Sequence, residues 1–161
     1  METLELKQKA LAFLNEPTCI TAVVGTCSLD NIPHTATVYY WVDDMFNFYF
    51  LTATNTQKYT NLQANPQAAI TVGFGPSYTT MQGSGTVAQL PKGSDEEAIA
   101  INSIKLRLRD HGNDTWPIFQ LDDFAGEAIA VFRLNTLTLQ LLNLESDNDL
   151  AVTSEAILQI L

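Results

Sequence analysis

The sequence predicts a mainly β protein, an antiparallel barrel of six or seven strands with peripheral helices. Three observations lead there. Short runs rich in β-branched and aromatic residues recur along the chain. Turn-forming clusters such as Leu29-Asp30-Asn31-Ile32-Pro33 separate them. Helical stretches interrupt the runs at wide intervals, giving the order α, βββ, α, ββ, α, ββ.

The first helix is expected over residues 3–15. Leu4, Ala10, Leu11 and Leu14 share one side at helical spacing, and Pro17 ends the segment. Cys19 to Ser28 is β-branched and reads as a strand, and His34 to Val42 as a second. Asp43-Asp44 makes a tight turn into a third strand, Met45 to Thr52, with apolar residues on both faces. These three form an antiparallel meander. Thr54 to Ala64 is a short helix, capped by Asn55 or Thr54 and stopped by Asn65-Pro66. Gln67 to Phe74 and Tyr78 to Leu90 are strands, and Gly83 and Gly85 inside the latter announce a bulge, a bend or a close approach.

Ser94 to Gly112 is the best-marked helix. Ser94 and Glu97 make a capping-box pattern, acids fill the first turn, and Lys105, Arg107 and Arg109 lie toward its end. Ile104 to Arg109 also alternates like a strand, but the caps favour the helix. Residues 113–125 are an irregular connection. Gly126 to Leu134 and Thr136 to Leu144 are two final strands. Residues 145–161 form a C-terminal extension that starts acidic and ends in a short helix, Ser154 to Leu161. With 161 residues, the whole chain (1–161) is one domain.

The net charge of −10 repels a phosphate-rich polymer, and no basic stripe offsets it, so no nucleic-acid partner is expected. No apolar run approaches the roughly 18 to 20 residues of a membrane helix, so no membrane partner is expected either. Met1-Glu2-Thr3 does not begin a secretory signal, and a cytoplasmic location is the expectation. Cys19 and Cys27, placed on one strand, would be about 26 Å apart. They are therefore expected to stay reduced, and to be buried.

Several chemistries lack their motif. The chain has no GxGxxG fingerprint, no Walker loop and no GxSxG elbow. His34 and His111 are the only histidines, so no metal site is expected. His111 ends a helix and reads as a partner of its dipole. His34 opens a strand, and a solvated strand end is the first reading, ahead of a ligand contact. The informative segment is Thr52-Ala53-Thr54-Asn55-Thr56-Gln57-Lys58, which joins a strand to a helix N-terminus. Free amides, hydroxyls and one ammonium there could converge on an anion. Ordinary threonine capping beside a surface lysine would leave the same pattern.

Four segments, in this order, resemble the pyridoxamine 5'-phosphate oxidase-like FMN-binding split barrels from about Leu11 to Leu144. They are TAVVGTCSLDNIPHTATVYYWV, FNFYFLTATNTQKYTNLQANPQAAITV, TTMQGSGTV and AIAVFRLNTLTLQLLNL. The resemblance implies a split β-barrel, a homodimer with the flavin between subunits, and FMN as cofactor. Thr52, Thr56 and Lys58 match positions that hold the FMN phosphate, and Thr80 and Gln82 lie on the strand beside the isoalloxazine ring. The second strand departs from the family's oxidases: Ala36 and Trp41 stand near basic positions, and no Lys or Arg occurs from His34 to Val42. Gln57 stands where arginine is frequent. Lys58 is then the main cation of the phosphate pocket.

No histidine follows His111, so the substrate-binding Arg-x-His motif is missing and vitamin B6 oxidation is not expected. The resemblance implies an FMN-dependent oxidoreductase acting on an unknown small-molecule substrate, with a reduced nicotinamide as the expected donor. A flavin-binding or stress-associated protein without rapid turnover stays open, as does a split barrel that binds haem or a deazaflavin. Tyr39, Tyr40 and Trp41 read as core and dimer interface before they read as a flavin stack.

Overall fold

Alternating burial along the first strands sets the inside of the barrel. A computed structural model describes residues 3–73, 79–111, 128–143 and 157–159. In β1 (Thr21–Cys27), Ala22, Val24 and Thr26 are buried and share one face. In β2 (Pro33–Val42), His34 and Ala36 are half-buried and Val38, Tyr40 and Val42 buried on the inner face, while Thr35 and Thr37 are exposed. β3 (Phe48–Ala53) adds Phe48 and Phe50.

These strands form the expected meander, and β4 (Gln67–Val72), β5 (Thr79–Gln89) and β6 (Ile129–Asn143) extend it antiparallel from β1. β6 returns to pair with β3 and closes a six-stranded barrel. Its core is aromatic and aliphatic, with Tyr40, Phe48, Phe50, Phe132 and Leu139 fully buried.

Helices close the barrel's ends. α1 (Thr3–Leu14) buries Leu6, Ala10, Phe13 and Leu14 in the same core. The Tyr40 hydroxyl donates to the Leu14 carbonyl at 2.7 Å, and the Arg107 guanidinium, 5.0 Å above the Tyr40 ring, donates to the same oxygen at 2.9 Å. Tyr40→Phe leaves that oxygen one donor, so we expect a loss of about 1 kcal/mol in urea unfolding. Gly73, at φ 77, lets the Phe13 ring approach to 2.6 Å of where a Cβ would stand. α2 (Gln57–Ala64) closes the opposite end, where Asn61 Nδ2 donates to Thr26 Oγ1 at 3.0 Å and Tyr59 meets Phe132 edge-on.

α3 (Asp95–His111) lies outside the barrel. Ala100, Ile104 and Leu108 pack on Tyr39, Tyr49, Leu51 and Val131, with Trp41 at the margin. The apolar face of Tyr39 and Trp41, expected to meet a partner subunit, is thus covered by the chain's own helix. Arg133 pairs with Glu96 at 2.6 Å and pins the helix's first turn to β6. Half of the capping box forms: Ser94 Oγ accepts from Glu97 N at 3.2 Å, while Glu97 Oε1 reaches one residue further back and accepts from Gly93 N at 3.2 Å.

Other expectations change. The turn after β2 is longer than Asp43-Asp44, because the Asp43 carboxylate accepts from the amides of both Met45 and Asn47, and β3 starts at Phe48. Thr56, not Thr54 or Asn55, caps α2. The two final strands are one continuous β6. Asn135-Thr136 does not break it because Thr136 Oγ1 donates to the Phe46 carbonyl at 2.7 Å, and the irregularity is taken up within β6 by Leu137, an extra residue between the pairs Ser84–Thr138 and Gly85–Thr136. Within the expected C-terminal helix, Ile157–Gln159 is instead a strand, β7, paired with Gln140 to Leu142. Cys19 precedes β1, and both cysteines are free and half-buried rather than buried. The connection 113–125, the Gly112 cap and the side chain of His111 lie outside the described residues.

Candidate functional site

The turn from β3 into α2 is built by two threonines. Thr56 Oγ1 donates to the Ala53 carbonyl at 2.8 Å and accepts from Tyr59 N at 3.2 Å, the geometry of a helix cap. Thr52 Oγ1 lies 3.0 Å from Thr56 Oγ1. Thr52 Oγ1 also reaches the Ala53 carbonyl at 3.3 Å, so either hydroxyl can donate within the threonine pair. Both hydroxyls therefore shape the loop. The amides of Gln57 and Lys58 come next, at the positive end of the helix, where no carbonyl of the same helix can reach them.

Lys58 follows the cap, and most of its side chain is withdrawn from solvent. It is 7% exposed and has no hydrogen bond or ion pair among the described residues. Burial alone pushes its ammonium down to about 8, so it remains a cation at neutral pH. Asn61, one turn on and on the same helix face, is buried between Gln57 Nε2, which donates to its Oδ1 at 2.8 Å, and Thr26. Thr26, Thr52, Lys58 and Asn61 are four of the six buried polar residues described, all at the α2 end of an apolar barrel. An unpaired buried cation is unfavourable unless an anion joins it.

Thr80 and Gln82 stand elsewhere. Met81 between them points into the core, so both face outward. Gln82 is exposed, whereas Thr80 Oγ1 is buried with no partner among the described residues. Thr52 pairs with Ala130 of β6 and Thr80 with Leu142, twelve residues further along that strand. That is about 40 Å of strand. Within one chain, Thr52, Thr56 and Lys58 come together, and Thr80 and Gln82 form a separate group. The outer surface around Gln82 includes exposed Thr37, Ala69, Ser84 and Thr138.

Three further polar residues at this end of the barrel are not marked by the sequence reading. Asn61 follows Lys58 at i+3, a spacing that could have marked it. Thr26 sits in a strand that otherwise buries only Ala22 and Val24. His34 is not a solvated strand end: its Nδ1 is buried and has no hydrogen-bond partner.

A closed six-stranded antiparallel barrel with helices at its ends defines the split-barrel class. Residues 6–136 match the family model described as Pyridoxamine 5'-phosphate oxidase, and the chain belongs to that family. No curated protein matches it. Among solved structures, it is similar to a conserved hypothetical protein of Mycobacterium tuberculosis, with 17% identity, TM-score 0.67, and 97% of this chain and 95% of that one covered. HutZ, the heme storage protein of Vibrio cholerae, is 14% identical with TM-score 0.64, over 80% of this chain and 88% of that one. General Stress Protein 26 of Bacillus anthracis is 19% identical with TM-score 0.61, over 85% and 93%. At these identities the likeness establishes the fold. Among the described residues no helix is long and apolar enough to cross a membrane.

Proposed function

We propose that the protein binds FMN at the N-terminus of α2, between two copies of the chain, and serves as a flavin-dependent oxidoreductase for a small molecule. The observation that carries this is Lys58, a buried cation with no partner of its own, beside free helix amides. A phosphate monoester, with a charge near −2, fits that arrangement. The buried, unpartnered Thr80 hydroxyl offers a polar contact for the edge of a ring. Membership of the Pyridoxamine 5'-phosphate oxidase family supports a flavin over an unrelated phosphate ester.

The distance along β6 between the two groups supports a shared site. Lys58 and Thr80 belong to separate groups along β6, and a two-fold pair would bring one copy's β5 toward the other copy's α2. FMN would supply the electron transfer, and the chain's residues would hold its phosphate and orient its ring. Reduced nicotinamide remains the proposed donor.

Haem is the second reading, favoured by the structural likeness to a heme storage protein. The absorbance spectrum of purified protein, taken with its mass by light scattering, separates the two. Flavin bands on a dimer are expected. A Soret band in place of flavin bands would move the assignment to haem, and a monomer that binds FMN tightly would remove the shared site.

A further inference from the structure

We propose that His34 is a second binding residue for the anionic group held at Lys58, donating to it through the buried edge of its ring. This rests on the reading of the α2 N-terminus as a phosphate site. His34 is on the inner face of β2 with Ala36, and it pairs in register with Thr26 of β1. Thr26 Oγ1 accepts from Asn61 Nδ2 at 3.0 Å, and Asn61 shares a helix face with Lys58. One cross-strand pair and one helical turn therefore link His34 to Lys58 under the same end of the barrel.

The ring's surroundings do not explain it as a structural residue. A core histidine has both nitrogens engaged, and a histidine at a solvated strand end offers both to water. His34 Nδ1 is withdrawn from solvent and has no partner. A donor is also needed there. β2 supplies no Lys or Arg between residues 34 and 42, which leaves Lys58 as one positive charge against a phosphate near −2. A proton on Nδ1 makes the ring a donor in its cationic form and in one neutral tautomer, so the contact does not depend on the charge of the imidazole.

Flavin fluorescence titrations with FMN and riboflavin test this, because the two differ only in the phosphate. For His34→Leu, the Kd for FMN should rise by roughly tenfold to a hundredfold, with riboflavin unchanged. His34→Asn, whose amide lies near the position of Nδ1, should stay within a few-fold of wild type. His34→Gln, which reaches the position of Nε2 instead, should lose as much as leucine. The Asn and Gln variants keep the comparison informative if leucine at a strand start prevents folding.

An unchanged FMN Kd in both His34→Leu and His34→Gln overturns the proposal, and so does an equal loss for FMN and riboflavin. Lys58→Met separates the two levels. If it weakens FMN while His34 variants do not, only the histidine assignment falls. If neither position affects FMN binding, the phosphate site itself is wrong.

Discussion

Replacing Lys58 with methionine is expected to stabilise the ligand-free protein while removing most of its affinity for FMN. The two effects share one cause. Burial holds the ammonium near 8, against 10.5 for a free lysine. The unfolded chain therefore keeps its proton up to a higher pH than the folded one. Below pH 8 the lysine is charged in both states and the full desolvation penalty opposes folding. Between 8 and 10.5 the folded form sheds the proton and stability rises, and above that range the penalty is gone. A difference of that size corresponds to roughly 3 kcal/mol at most. Methionine fills a similar volume without the charge, so a gain of about 1–3 kcal/mol is expected at pH 7, with none left near pH 11.

The same substitution deletes the charge-assisted bond to phosphate, and the Kd for FMN should rise by roughly tenfold to a hundredfold. Wild-type affinity should weaken as pH passes 8, because the free protein then loses the cation the phosphate needs. Urea unfolding at two pH values and FMN titration would measure both halves. A variant that is less stable at pH 7, with unchanged FMN binding, would mean that Lys58 has a structural partner and no role in anion binding.

Composition and capping are legible in the sequence, although the α2 cap at Thr56 and the longer turn at Asp43 differ from the local expectation. The β1–β3 meander is legible because its runs are rich in β-branched and aromatic residues, such as Val23, Val24 and Thr26 in β1 and Tyr39, Tyr40 and Trp41 in β2. Ser94 and Glu97 announced α3 because capping acts within one turn. Asn135-Thr136, by contrast, has turn chemistry, and the Phe46 carbonyl together with the extra residue Leu137 keeps β6 continuous. The apolar face of Tyr39 and Trp41 was correctly seen as needing cover. Whether a helix of the same chain or a second copy provides that cover is a question of tertiary packing, and α3 answers it here.

The candidate site divides in the same way. Thr52, Thr56 and Lys58 are contiguous in sequence, and the cap that joins them was foreseeable. The roles within the group were not. The hydroxyls turn to the loop and the lysine is mostly buried, which depends on the shape of the barrel's end. His34 was passed over because a strand's first residue is normally solvated. Its Nδ1 is buried here although the residue as a whole is half-buried, at the end of the barrel where α2 meets β1.

Gly85→Ala should be among the most damaging single substitutions in the barrel. At the bulge where β5 slips against β6, a methyl on residue 85 would overlap the carbonyl oxygen of Asn135, with its carbonyl carbon 2.9 Å away and Thr136 Cα at 3.1 Å. All three are backbone atoms, so no side chain can rotate to make room. Relief requires β6 to move away from β5, yet β6 is also bound to β3 through Phe132 and Leu134, both in the core. Overpacking against fixed backbone costs about 3 kcal/mol, which for a chain of this size lowers Tm by about 6–12 °C. Ser84→Ala, one residue away, deletes only an exposed hydroxyl contact with Thr138 and should stay within about 0.5 kcal/mol of wild type. Because the slip also sets which residues of β6 stand beside Thr80 and Gln82, any Gly85→Ala protein that folds should bind FMN more weakly than wild type. Thermal melts and FMN titrations of the two variants decide the matter. A Gly85→Ala protein as stable as Ser84→Ala would show that β5 and β6 do not approach as closely as this register requires.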